Sequence, residues 1–148
     1  MRSAKPSVVL DTNVALDLLV FADPRVLPLQ AALDDGSLRW IATAEMRQEL
    51  ERVLAYPRIA RYLTGTERSA AQVLARFDGM AQIHERPLRA NVHCSDRDDQ
   101  IFIDLALAHA ARLLSKDAAV LALRKRLASR GVEVENPCGF TRDPGVPL

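Results

Sequence analysis

Short apolar runs alternate with amphipathic stretches along the whole chain. Residues 8–10, Val-Val-Leu, form an apolar run with no polar alternation, as in a strand buried on both faces. A helical pattern follows over 13–20. Pro24 opens a second helix, interrupted by Pro28 and closed near Gly36. Residues 38–41 read as a second strand, and Thr43 is placed to cap a helix that ends before Pro57. Another helix is predicted over 66–77 with Gly79 as its stop, then a weaker strand at 80–84 and a loop over 85–94. Ser95 and Asp98 have capping-box spacing for the next helix, which is apolar on nearly every side from Ile101 to Ala108 and so predicted buried. Residues 113–115 give a fourth strand, 118–129 a helix stopped by Gly131, and 132–134 a fifth strand.

This alternation predicts an α/β fold of βαβ units around a parallel sheet of about five strands. The chain of 148 residues shows no repeat or low-complexity tract, which suits one domain over 1–148, with its core over about 7–140 and a tail at 141–148. Composition, 49% apolar and 26% charged, is ordinary for a globular protein. Cys94 and Cys138 show no CxxC spacing, so no zinc site is expected. The apolar run after the basic N-terminus is too short for a signal peptide or a membrane span, which makes the cytoplasm the expected compartment.

The net charge of +1 matters less than its distribution. Arg47, Arg52, Arg58 and Arg61 form one basic group, and Arg124, Lys125, Arg126 and Arg130 another. Each is either a polyanion contact or a solvated helix face. Acids, in contrast, sit at the ends of apolar elements. Asp11 ends the first strand and Asp117 follows the fourth, each readable as a helix N-cap or as a ligand. Glu49 lies roughly 85° and Glu45 roughly 125° from the centre of their helix's apolar stripe, so Glu49 flanks the core while Glu45 points further into solvent. Glu49 is equally readable as a surface partner of Arg52. Asp96 and Asp99 share a face in the first turn of the buried helix, where acids also suit the helix dipole. Asp104, mid-helix among apolar residues, needs a partner or an opening to water, and either lines the site or faces a basic neighbour. In a sheet of order 3-2-1-4-5, Asp11, Glu49, Asp99 and Asp117 would converge at the C-terminal ends of the central strands. Carboxylates so gathered repel each other unless a hard divalent cation sits among them.

The segments Val8-Val9-Leu10-Asp11-Thr12-Asn13-Val14, 45–54, 96–106 and Leu113-Leu114-Ser115-Lys116-Asp117 together resemble the PIN-domain family. More narrowly, they resemble the VapC-like toxin components of bacterial toxin–antitoxin systems. The resemblance covers about 8–140. It implies a three-layer α/β/α PIN-like fold and a Mg²⁺- or Mn²⁺-dependent endoribonuclease. It places the metal-binding and catalytic acids at Asp11, Glu49, Asp99 and Asp117, with Asp96 as an accessory acid and Asn13 in support. Ser115 is placed to hydrogen-bond a carboxylate or a ligated water. Arg47, Arg58, Arg61 and Lys116 are the residues expected to hold RNA. The resemblance further implies a homodimer silenced by an antitoxin protein. A haloacid-dehalogenase-type phosphatase wants an Asp where Asn13 stands, and a receiver domain wants one after the third strand, where the exit is Ile83-His84-Glu85. A catalytically inactive PIN-fold module that binds RNA or protein is the alternative.

Overall fold

Val8 and Val9 have no exposed surface and Leu10 almost none, because their strand takes the centre of the sheet. The computed structural model describes residues 6–137; Cys138 and the expected tail at 141–148 lie outside the described residues. Strand β1 (Ser7–Leu10) pairs in parallel with β2 (Arg39–Thr43) on one side and β4 (Arg112–Leu114) on the other. β3 (Ala81–His84) adds to β2 and β5 (Val134–Glu135) to β4, so the parallel order is 3-2-1-4-5 as expected. The chain winds outward from β1 to β3, then returns past β1 to form β4. The crevice at this reversal lies beyond the C-terminal ends of β1 and β4, where open α/β sheets place ligands. Helices flank the sheet in an α/β/α arrangement.

Several element boundaries differ from the sequence expectation, each for a local reason. The helix expected over 13–20 is α1 (Thr12–Leu16) followed by a π turn, Asp17–Phe21. Arg68 holds the Leu19 carbonyl at 3.1 Å and also the Val20 carbonyl, which stabilises this wide turn from outside. Pro28 does not interrupt a helix. It sits in the first turn of α2 (Leu27–Asp34), after a 3₁₀ turn at Pro24–Val26, because proline fits a position whose N–H has no partner. Pro57 likewise starts a helix as well as ending one. α3 (Ala44–Leu54) is followed by α4 (Pro57–Gly65), which buries Ile59 and Leu63 one turn apart and which the sequence reading lacked.

α5 (Ala70–Met80) starts at Ser69, whose side chain forms a reciprocal capping box with Gln72. It runs through Gly79, where an added Cβ would meet nothing within 4 Å, so the glycine is a tolerated helical residue and not a stop. Trp40 of β2 stacks edge-on against Phe77 of α5 at 5.0 Å, fixing that helix to the sheet. The capping box expected at Ser95 is replaced by Asp96, which caps a 3₁₀ turn (Arg97–Asp99) leading into α6 (Gln100–His109). The helix expected over 118–129 is divided into α7 (Ala118–Leu121) and α8 (Arg124–Ala128), and β5 begins two residues later than expected.

Candidate functional site

The register of β1 and β4 builds the floor of the crevice. Leu10 pairs with Leu114, and the Asp11 amide donates to the Leu114 carbonyl at 3.1 Å, so the next residues of both strands, Asp11 and Ser115, meet. The Ser115 hydroxyl donates to Asp11 Oδ2 while Asp11 Oδ1 accepts from the Val14 amide at 2.8 Å. Asp11 is therefore an N-cap, as one of its two readings had it, and the same side chain forms part of the cleft floor. Burial pushes its carboxyl above the ordinary range, against the pull of Ser115, the Val14 and Lys116 amides and the Lys116 charge.

A cleft of about 390 Å³ opens above this floor. Asp11, Glu49, Asp96, Asp99 and Asp117 all line it, as does Asn13. Carboxylate oxygens of Asp96, Asp99 and Asp117 lie within 4.8 Å of one another. Asp117 caps α7 by accepting from the Ala119 amide at 2.8 Å, and its own amide takes the Ser115 hydroxyl oxygen at 3.0 Å. Asp99 is the most perturbed acid. Burial, then the charges of Asp117, Asp96 and Asp11, push its carboxyl up to about 7, and its Oδ2 is buried with no hydrogen-bond partner. A sealed, orphaned carboxylate oxygen amid like charges is the environment that a hard divalent cation relieves. The donor set, all oxygen and all anionic, fits such an ion.

Glu49 stands at the rim, with Arg52 3.1 Å away on the next turn of α3. Glu49 thus makes the surface pair with Arg52 while also lining the cleft. Glu45 lines the cleft too, as do Asp98 and Ile101. The helical wheel placed Glu45 toward solvent because it measures only the angle from the core stripe. The start of α6 lines the same cleft as that face of α3, and spacing along α3 cannot report a distant segment.

The expected basic contacts lie off the cleft. Arg47 donates to Asp78 of α5 at 2.7 and 2.9 Å, a bidentate pair that ties two helices together. Lys116 is ion-paired to Asp17 of the π turn. Arg58 and Arg61 are exposed on α4, and neither lines the cleft. Asp104 neither lines the acidic cleft nor meets a basic partner. Its Oδ1 accepts from the Ala90 amide at 2.9 Å and from Gln100 Nε2 at 2.8 Å, pinning the loop before α6.

The sequence pattern of the PIN domain matches residues 7–119. The chain belongs to the PIN-domain family. An uncharacterized protein of Methanocaldococcus jannaschii is 27% identical over 127 residues, 84% of this chain and 79% of that one. The PIN fold is similar to a chain in the crystal structure of VapBC2 from Rickettsia felis bound to a promoter DNA fragment. That likeness has a TM-score of 0.60 at 12% identity and covers 88% of this chain and 98% of the other. No helix among the described residues of this PIN domain is long and apolar enough to cross a membrane.

Proposed function

We propose that this PIN domain is a metal-dependent endoribonuclease, the toxin of a toxin–antitoxin pair. The observation that carries the reading is the group of Asp96, Asp99 and Asp117, with the orphaned Asp99 oxygen at its centre. With Asp11 and Glu49 on the same cleft, these residues would hold Mg²⁺ or Mn²⁺. When bound, such an ion supplies Lewis acidity toward a phosphodiester and toward an attacking water. The protein's own part is positioning. Ser115 and the Val14 amide hold both oxygens of Asp11, and the Ala119 amide fixes Asp117, so the acids keep their places against mutual repulsion. The cap bonds tie Asp11, Asp96 and Asp117 to the backbone, which keeps the side-chain entropy loss of these three on ion binding small.

The PIN fold shared with a chain of VapBC2 supports an antitoxin as partner. An inserted Arg or Lys of that partner would take the cation's place among the carboxylates and exclude RNA at once. The reading also includes a homodimer, checked by light scattering at micromolar concentration; a clean monomer would remove it. The decisive assay is cleavage of single-stranded RNA with Mg²⁺ or Mn²⁺. Cleavage is expected to stop with chelator and with Asp11→Asn, which keeps the α1 cap but removes a charge. Undiminished cleavage by Asp11→Asn would sink the ribonuclease reading.

A further inference from the structure

A second groove, of about 490 Å³, runs beside the acidic cleft and shares Glu45, Asp98 and Ile101 with it. Its other wall carries Arg86, Arg89 and Arg97. All three are exposed, and none takes part in the ion pairs of the described residues. Their segment is not a slack loop. Gln100 accepts from the Cys94 amide at 2.8 Å and donates to the Val92 carbonyl at 2.8 Å, while Asp104 takes the Ala90 amide. Gln100 and Asp104 are themselves buried at 7% and 8% exposure, and Val92 is sealed beneath them at 1%. Two buried polar side chains are thus spent on fixing the backbone from which Arg89 and its neighbour Arg86 project. Arg97 lies between the cleft acids Asp96 and Asp98 in sequence, so the basic wall reaches the mouth of the acidic cleft.

We propose that Arg86, Arg89 and Arg97 form a phosphate track that holds the single-stranded RNA beside its scissile bond. This rests on the ribonuclease reading of the cleft. The juxtaposition favours a phosphodiester chain over an acidic protein segment. A nucleic acid carries evenly spaced charges through both compartments, one phosphate at the cation-loaded acids and the flanking ones at arginines. An acidic peptide would gain from the arginines but would have no scissile group for the cleft.

The test uses Asp11→Asn protein with labelled single-stranded RNA of mixed sequence, read by fluorescence anisotropy over a salt series in Mg²⁺. The combined Arg86→Gln, Arg89→Gln and Arg97→Gln variant is expected to flatten the log–log salt dependence by about 2, on the order of 0.7 per lost arginine contact. The matched Lys125→Gln, Arg126→Gln and Arg130→Gln variant removes the same charge elsewhere and is expected to leave the slope as it was. In the otherwise unsubstituted protein, the arginine variant is expected to raise KM while keeping the Mn²⁺-induced rise in melting temperature. An unchanged slope in a protein that still cleaves RNA overturns the track alone. An unchanged slope with loss of binding to a protein partner assigns the groove to that partner and overturns it too. Absence of any RNA binding by Asp11→Asn and any cleavage by the parent removes the ribonuclease reading, and the track with it.

Discussion

Two turns of this protein share one local construction and have opposite electrostatics. Asp23 caps the 3₁₀ turn that enters α2, accepting from the Arg25 amide at 2.9 Å. Asp96 caps the 3₁₀ turn that enters α6, accepting from the Asp98 amide at 3.0 Å. In the first, the residue two ahead is an arginine whose guanidinium returns to the cap at 3.1 and 2.8 Å. Hydrogen bonding from Arg25 draws the Asp23 carboxyl down to about 2. In the second, the residue two ahead is another aspartate, and the turn ends on Asp99, whose carboxyl burial and neighbouring charge push up to about 7. The backbone device is the same. What differs is whether the surrounding fold supplies the missing positive charge. At Asp23 it does so from the chain itself, while Asp96 and Asp99 take part in none of the ion pairs among the described residues.

The largest expected effect breaks this comparison at its acidic end. Asp99→Asn should reduce RNA cleavage by more than about 100-fold, since losing even a group that only supports a metal ligand costs 10–100-fold. Asp23→Asn should leave the rate within about twofold, because that carboxylate serves a helix entry and an exposed pair. Single-turnover kinetics on both variants checks this. Equal losses would mean that the two turns are alike in function as well as in construction.

A divalent ion sharpens the same contrast through stability. Mn²⁺ at about a hundredfold excess over its Kd should stabilise the protein by about 2.7 kcal/mol, if it binds only the folded state. Thermal unfolding should show that shift in the Asp23→Asn variant and lose it in Asp99→Asn. A shift retained by Asp99→Asn would place the ion elsewhere.

How far these differences were legible in the sequence depends on the range of the interaction. Given the order 3-2-1-4-5, which the sheet has, the convergence of acids on one cleft was legible, because Asp11, Asp99 and Asp117 follow or cap elements whose positions that order dictates and Glu49 flanks the buried stripe of α3. Capping chemistry was read well at Thr43, whose side chain does take the Met46 amide, and missed at Ser69, where the box with Gln72 is as plain in sequence. Pro28 misled, because it opens α2 and interrupts nothing, whereas Pro57 was read correctly as lying past the end of α3 and only the helix it opens was missed. The partners of charged side chains were not legible. Arg47 and Asp78 are 31 residues apart, and nothing in either segment announces the other. The same holds for Glu45, brought to the cleft by α6, and for the groove of Arg86, Arg89 and Arg97, fixed by two buried side chains of that helix.

Smaller effects follow from pH. Asp99 binds its proton more tightly folded than unfolded, so the metal-free protein should lose stability as pH rises from about 4 to about 7 and level off above that. The slope is at most about 1.4 kcal/mol per pH unit and is lessened by solvent, since Asp99 is only partly buried. Asp23 acts in the opposite sense. Its folded value lies below the unfolded one, so what it contributes is present above about pH 4 and fades as pH falls toward 2. Chemical denaturation of chelator-treated protein across pH 4–8 should show the decline in the parent and a smaller one in Asp99→Asn, where the raised carboxyl of Asp11 still contributes. A parent curve flat over that range would mean that burial and the neighbouring charges do not raise the Asp99 carboxyl.

The smallest expected effect separates the cap from the charge. Serine caps a helix about as well as aspartate, so Asp→Ser at either turn keeps the backbone hydrogen bond and changes only the electrostatics. At position 23 the change removes an exposed pair with Arg25, and the melting temperature should fall by no more than about 2 °C. At position 96 it removes one of three mutually repelling carboxylates, so in chelator the melting temperature should hold or rise slightly, while the Mn²⁺ concentration needed for stabilisation increases. Paired melting curves with and without Mn²⁺ read both signs at once. A fall of similar size at both positions, with metal demand unchanged, would show that Asp96 is a cap like Asp23 and that the metal centre is built from the remaining acids alone.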